Sequence, residues 1–211
     1  MFQRPIVMLD FETTGLSPES GDRITEVAAL RIAGGEIVER YVSLVNCGVR
    51  IPPFITSLTG ITQQMVDSAP PVGDVVPELI EFIGADTLAA HNASFDEKFL
   101  KAEGARLGHA CRHQGLVCSV KLSRRVLPGM SSYRLGELAR ALGIAFRGTA
   151  HRAEADAEVA AHLLLHIGRH LDRSYGLGPV APELLVDITG LSAAKVHGYI
   201  GNYAALRKRE R

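Results

Sequence analysis

The sequence predicts an α/β protein, a sheet with helices packed on it, and three observations carry that prediction. The run Ile6-Val7-Met8-Leu9 is continuously apolar and rich in β formers, as in a strand buried on both faces and hence central in a sheet. Two further β-rich runs, 24–32 and 37–45, flank Gly34-Gly35, a hairpin composition. Beyond residue 75, helical spacing alternates with short strand-like runs, so strands come first and mixed strands and helices follow.

Pro5 opens the first strand. Thr13-Thr14-Gly15 and Ser17-Pro18-Glu19-Ser20-Gly21 form a turn-rich loop. Residues 51–73, with Pro52-Pro53 and Pro70-Pro71, are irregular, with short helices expected at 55–59 and 62–66. Helical spacing over 75–83 is closed by Gly84. Residues 88–91 read as a fourth strand, 94–107 as a helix stopped by Gly108, and 116–118 as a short fifth strand. Helices follow at 122–127 and 133–142, the second capped by Ser131 or Ser132 and ended by Gly143. The strongest helix is 153–171, whose Ala157, Ala160, Ala161, Leu164, Leu165, Ile167 and Leu171 form one apolar face. Gly176-Leu177-Gly178-Pro179 reads as a linker, and 183–188 and 193–206 as two last helices, the second capped by Ser192.

Composition sets the outer bounds. The 211 residues are 46% hydrophobic and 22% charged, which excludes wholesale disorder and allows a core without disulfides. Cys47, Cys111 and Cys118 are odd in number and match no zinc spacing, so idle thiols in a reducing compartment are expected. No apolar run suits a signal peptide or a membrane span, and a soluble cytoplasmic protein is expected. The zero net charge hides an asymmetry. Residues 1–100 hold 6 Lys and Arg against 14 Asp and Glu, while 101–211 hold 17 against 9. Lys121, Arg124, Arg125, Arg134, Arg140, Arg147 and Arg152 crowd one stretch with Glu137 as its only acid. A cation-loaded site facing a polyanion fits this split, and so do two solvated faces.

Asp10 and Glu12 follow the first strand, two residues apart and therefore on one face. Two unpaired carboxylates at close range repel unless a cation lies between them, and Mg²⁺ or Mn²⁺ suits an all-oxygen donor set. Asp96 lies where the fourth strand passes into a helix, and Asp156 near the start of the strongest helix among Ala153, Ala155 and Ala157. His151 lies in the loop just before it. Singly, each acid reads as well as a helix-dipole partner or a solvated charge. Together, four carboxylates and one histidine at element ends are what two-metal phosphodiester hydrolysis needs, with an imidazole as the natural base near neutral pH.

The blocks Asp10-Phe11-Glu12-Thr13-Thr14-Gly15, Leu58-Thr59-Gly60-Ile61-Thr62, His91-Asn92-Ala93-Ser94-Phe95-Asp96 and His151-Arg152-Ala153-Glu154-Ala155-Asp156-Ala157 resemble, in order and spacing, those of the DEDDh-type 3′–5′ exonucleases. That family includes the proofreading epsilon subunit of bacterial DNA polymerase III, RNase T and oligoribonuclease. The resemblance implies an RNase H-like fold with a five-stranded mixed sheet, in an exonuclease domain over residues 1–175. It implies release of nucleoside 5′-monophosphates from single-stranded or frayed 3′ ends, with two Mg²⁺ or Mn²⁺ ions. Asp10 would bridge both ions, Glu12 and Asp156 would complete the nucleophile-side ion, Asp96 would hold the second, and His151 would be the general base. Thr13, Thr14 and Gly15 would offer backbone N–H groups and hydroxyls to the terminal nucleotide, Leu58 would wedge against its base and Phe95 would pack beneath it. Phe11, Thr59, His91 and Asn92 of the same blocks are counted with the substrate-binding residues, although some members carry His where this chain has Thr59.

DNA is slightly favoured as substrate. RNA 3′-end trimming, oligoribonucleotide degradation and action on small diesters remain open, as does a catalytically silent nucleic-acid-binding or interaction module. Residues 176–211 carry no block of the family and form a small helical extension. It either folds back on the core or docks a polymerase or another partner. Arg207-Lys208-Arg209 and Arg211 read as a solvated basic tail.

Overall fold

The computed structural model describes residues 2–146 and 148–209. Arg147 of the basic stretch and Arg211 of the basic tail lie outside the described residues. Five strands, β1 (Ile6–Thr13), β2 (Ile24–Ala33), β3 (Glu36–Leu44), β4 (Thr87–Ala90) and β5 (Leu116–Cys118), form one mixed sheet in the order β3-β2-β1-β4-β5. The first three are antiparallel neighbours, while β4 and β5 run parallel to β1. β1 is central, as its unbroken apolar run requires.

β1 is longer than expected. It does not stop at Leu9; its ladder with β2 continues through Asp10 opposite Ala28 and Glu12 opposite Glu26, and slips between Glu12 and Thr13. Paired backbone groups on the long hairpin arm outweigh the poor β propensity of two acids. The carboxylates are thus rungs of the sheet, fixed in direction by the pleat.

Among the described residues there are nine α-helices. They are α1 (Pro53–Thr59), α2 (Gln63–Asp67), α3 (Val72–Ile83), α4 (Ser94–Arg106), α5 (Ser119–Val126), α6 (Leu135–Leu142), α7 (Ala153–Tyr175), α8 (Pro182–Gly190) and α9 (Ala193–Arg209). Met8, Ala28, Leu30, Ala89 and Val117 on one sheet face are buried with Ala157, Ala160, Ala161 and Leu164 of α7. Val7, Leu9, Phe11, Val27 and Leu88 on the other face are buried with Val75 and Leu79 of α3 and Phe99 and Leu100 of α4. By the two-residue period, Asp10 and Glu12 continue the row of Ile6 and Met8 and face α7. The alanines of α7 let its first turns approach the sheet closely.

Some expected boundaries differ. α5 begins at Ser119, three residues early, and α6 begins at Leu135 with Arg134 as N-cap and no side-chain cap. Ser132 instead accepts the Arg134 N–H at 3.3 Å, which stabilises the turn before the helix. The Gly/Pro stretch after α7 is an ordered connection. Leu177 and Val180 are buried, Gly178 N–H donates to Asp172 at 2.7 Å, and Gln3 N–H donates to the Val180 carbonyl at 2.9 Å. Leu184, Leu185, Ile188, Val196 and Ile200 belong to the same buried cluster as Met8 and Leu164. All three cysteines are free thiols. No helix among the described residues is long and apolar enough to cross a membrane.

Candidate active site

The end of β1 opens into a cleft with two chambers. The first, a cavity of about 640 Å³, is lined by Phe11, Glu12, Thr13, Thr14, Gly15, Leu58, Phe95 and Asp96. The second, about 770 Å³, runs between α5 and α6 past Val120, Arg124, Tyr133 and Arg134. Asp10, His91, His151 and Asp156 line both chambers and mark their junction. Ligand atoms of Glu12, His151 and Asp156 lie within 4.8 Å of one another. The structure thus brings the acids of β1, α4 and α7 and the histidine before α7 to one place, from positions almost 150 residues apart.

Local geometry aims each group. Asp96, in the first turn of α4 and buried, accepts the Phe11 N–H at 3.2 Å and so reaches across from α4 to β1. Asp156, in the first turn of α7, accepts the His151 N–H at 3.0 Å. His151 sits at φ 62°, a left-handed conformation uncommon for a residue with a Cβ, and the Asp156 bond holds it there.

The site is crowded with negative charge. Burial, with Asp96, Asp156, Glu12 and Glu26 nearby, holds the Asp10 carboxyl well above the ordinary carboxylate range. Burial and the charges of Asp156 and Glu26 push Glu12 up to about 8, against the opposing pull of Arg152. Burial pushes Asp96 up to about 8 as well, although backbone N–H groups, its own and that of Phe11, pull it down. Asp156 is raised, again mainly by burial.

Several residues of the expected substrate set have partners within the protein. Thr59 lines neither chamber; it is buried, donating to the Ile55 carbonyl at 2.9 Å and accepting the Ile61 N–H at 3.0 Å to end α1. Asn92 also lies off both linings; at φ 75° it makes the turn into α4, its carbonyl accepting the Phe95 N–H at 2.8 Å. The Thr13 hydroxyl donates to the Gly15 carbonyl at 2.6 Å and the Thr14 hydroxyl accepts the Arg23 N–H at 3.0 Å. Thr14 N–H bonds the Arg23 carbonyl at 2.8 Å. These bonds shape the turn, and Thr13, Thr14 and Gly15 line the first chamber. His91 is a wall: burial lowers its pKa to about 4, and its nitrogens meet the Ser119 hydroxyl at 2.8 Å and the Tyr133 carbonyl at 3.2 Å. The carbonyl only accepts, so Nε2 carries the proton and Nδ1 accepts from Ser119, an assignment made from the partners.

Sequence reasoning missed four residues. Glu26 sits opposite Glu12 across the β1–β2 ladder, a repulsive pairing. It is almost fully buried, accepting the Ala153 N–H at 2.9 Å and Arg152 Nε at 3.1 Å, and it thereby seats the first turn of α7. Its signal is an acid at the buried end of a largely apolar strand. Glu26→Ala leaves the Arg152 guanidinium and the helix N-terminus without their acceptor, and should cost about 1–3 kcal/mol of stability, read from the denaturant midpoint. Asp22 accepts the Ser17 N–H at 2.9 Å and lies against Gly15, where an added Cβ would come within 2.4 Å of its carboxylate. Leu16 and Phe54, 77% and 66% exposed, stand with Leu58 at the rim of the first chamber. No sequence period separates such apolar residues from core ones.

A family model described as RNase_T exonuclease matches residues 7–164, which span every group above. The chain belongs to the RNase T exonuclease family. It is 37% identical over 173 residues to DNA polymerase III subunit epsilon of Aquifex aeolicus, covering 82% of this chain and 84% of that one. It is 38% identical over 167 residues to the 3′–5′ exonuclease DinG of Bacillus subtilis, covering 79% of this chain but only 18% of that protein. A PolC-type DNA polymerase III of Clostridium perfringens is likewise matched over 11% of its length. A solved structure of exonuclease X with 5′-overhanging duplex DNA aligns with a TM-score of 0.68 at 28% identity, covering 87% of this chain and 99% of that one. The five-stranded mixed sheet with flanking helices is the RNase H-like exonuclease fold, and the chain is a 3′–5′ exonuclease domain by family and fold.

The donor set fits the divalent ions this exonuclease family uses. Four carboxylates, all with raised proton affinity, form a hard, oxygen-rich and undercompensated site. The sign of the pH dependence follows. Carboxylates whose folded pKa lies above the unfolded value contribute stability at acidic pH that is lost as pH rises through the folded value. For Glu12 and Asp96 that window runs from the ordinary range of 4.5 and 3.8 up to about 8. The metal-free protein should therefore melt at a lower temperature at pH 8 than at pH 5.5. Added Mn²⁺ should raise the midpoint more at pH 8, where protons no longer compete for the carboxylates. Equal Mn²⁺ effects at both pH values, in thermal scans with and without chelator, would contradict this.

Proposed function

We propose that this protein removes nucleoside 5′-monophosphates one at a time from the 3′ end of a single or frayed strand, with DNA preferred over RNA. The observation that supports it most is the junction of the two chambers. Carboxylates from β1 and α7 meet there, with Asp96 of α4 in the adjoining first chamber. Asp10, Glu12, Asp96 and Asp156 would hold two Mg²⁺ or Mn²⁺ ions. Such ions supply positive charge to the phosphodiester oxygens and acidify water. His151, at the junction, takes the proton of the attacking water. Leu58 and Phe95 enclose the terminal base between apolar surfaces, with Leu16 and Phe54 at the rim. Apolar walls accept every base, so sequence preference is weak.

The preference for DNA draws on the likeness to a DNA polymerase subunit and to an exonuclease solved with duplex DNA. The chemistry belongs to residues 1–175, and 176–211 is an extension that completes their core. Polymerase partnership through outward residues of α8 and α9, in the cytoplasm, is part of the same reading. The deciding experiment incubates 5′-labelled DNA and RNA strands, single- and double-stranded, with Mg²⁺ or Mn²⁺. A ladder of products shortened stepwise, formed faster on single-stranded DNA, is expected. No shortening with either ion overturns the reading, and faster shortening of RNA overturns the preference.

A further inference from the structure

We propose that the second chamber, together with a pocket beyond it, is a cationic track for the phosphates of the strand that remains after cleavage, and that C-terminal helix α9 forms its far wall. This rests on the exonuclease reading above and extends it to the part of the substrate that is not cut off.

Charge divides the two chambers. Among the described residues, the nucleoside chamber is lined by Asp10, Glu12, Asp22, Asp96 and Asp156 and by no lysine or arginine. The other carries Arg124 and Arg134. Its one acid away from the junction, Glu137, is paired with Arg140. A 3′-terminal nucleoside brings no phosphate beyond the scissile one, whereas the retained strand carries one per nucleotide. The chamber of acids therefore suits the departing end and the chamber of arginines suits the polyanion.

The arginines are available for such a ligand. Both are exposed, and neither makes an ion pair among the described residues. The Arg124 guanidinium lies over the Tyr133 ring, 5.6 Å from its centroid, so a cation and a stacking face are presented together.

The track continues past Arg124. That residue also lines a cavity of about 440 Å³ bounded by α5, α7 and α9, with Arg125, His170 and His197 on its wall and, among the described residues, no acidic side chain. Arg125 is held by the Leu191 carbonyl at 2.7 Å and the Lys121 carbonyl at 2.9 Å, and His197 by the Tyr175 hydroxyl at 2.8 Å. Side chains already oriented by the fold lose little freedom when their remaining N–H groups meet a phosphate. Because Val196 and Ile200 anchor α9 in the core, the extension presents His197 to this pocket at a set position.

The test uses the full chain with Mn²⁺ and two kinds of substrate. The 4-nitrophenyl ester of thymidine 5′-monophosphate has no strand on the retained side; oligothymidylates of two to eight nucleotides do. For wild type, kcat/KM should rise with strand length. In the double variant Arg124→Gln/Arg134→Gln, the ratio of kcat/KM on the octamer to that on the nitrophenyl ester should fall at least tenfold. The slope of log affinity against log salt should become shallower by roughly 0.7 for each phosphate contact removed. The corresponding double lysine variant should keep the steep slope, which a merely structural role would not predict. His197→Ala should weaken the octamer more than the dinucleotide. Equal losses on ester and octamer, or an unchanged salt slope, would overturn the track. Fluorescence anisotropy of a labelled octamer without turnover separates the two claims. Arginine-dependent binding by a wild type that cuts nothing would keep the track and sink the exonuclease reading.

Discussion

Asp10→Asn should abolish strand shortening and, at the same time, make the metal-free protein more stable. Both effects have one origin. Asp10 stands at the chamber junction, and burial together with Asp96, Asp156, Glu12 and Glu26 disfavours its charge. A neutral amide of the same shape removes that repulsion, so the midpoint of the chelated protein at pH 8 rises. It also removes a carboxylate whose charge is felt together with those of Asp96, Asp156 and Glu12, so Mn²⁺ raises the midpoint far less than in wild type. The loss of activity should exceed roughly 10³-fold, the upper end of removing one preorganised electrostatic group. A variant that still trims a labelled strand at a tenth of the wild-type rate would contradict the assignment, as would one less stable than wild type in chelator.

His151→Asn should lower kcat by about 10²- to 10⁴-fold, the ordinary contribution of a positioned general base. Asparagine is the informative replacement because it tolerates the left-handed backbone that position 151 adopts, so the loss reports chemistry rather than a distorted loop. The ring nitrogens lie close enough to Glu12 and Asp156 to share a cation with them. Thermal scans with Mn²⁺ separate the roles. A base leaves the metal-induced rise in midpoint intact, and a ligand takes it away. A rate within tenfold of wild type would remove His151 from the reaction.

Much of this architecture was legible from residue patterns. The unbroken run at 6–9 placed a central strand, the Gly34-Gly35 flanks placed the hairpin, and the alanine-rich face of 153–171 placed the helix that covers it. These signals work because burial against a sheet or helix face repeats with a fixed period. The acids were legible for a different reason, since their types and spacing resemble an exonuclease family's blocks. Where the period argument had nothing to hold, it failed. The apolar run ends at Leu9, yet the facing backbone of β2 decides the strand's length and carries it through Asp10 and Glu12. Thr59 and Asn92 belong to the blocks that resemble the family's; in the fold one ends α1 and the other makes a turn.

By itself, the order of residues determined which elements form, which faces are apolar and which acids belong together, because these depend on local composition and on short spacings. Only the folded arrangement decided that Glu26 would face Glu12 and recruit Arg152, and that Arg124 would join the cleft to the C-terminal helices. Those outcomes depend on partners distant along the chain. Their identity is set by strand register and helix packing, quantities that no single stretch of sequence encodes.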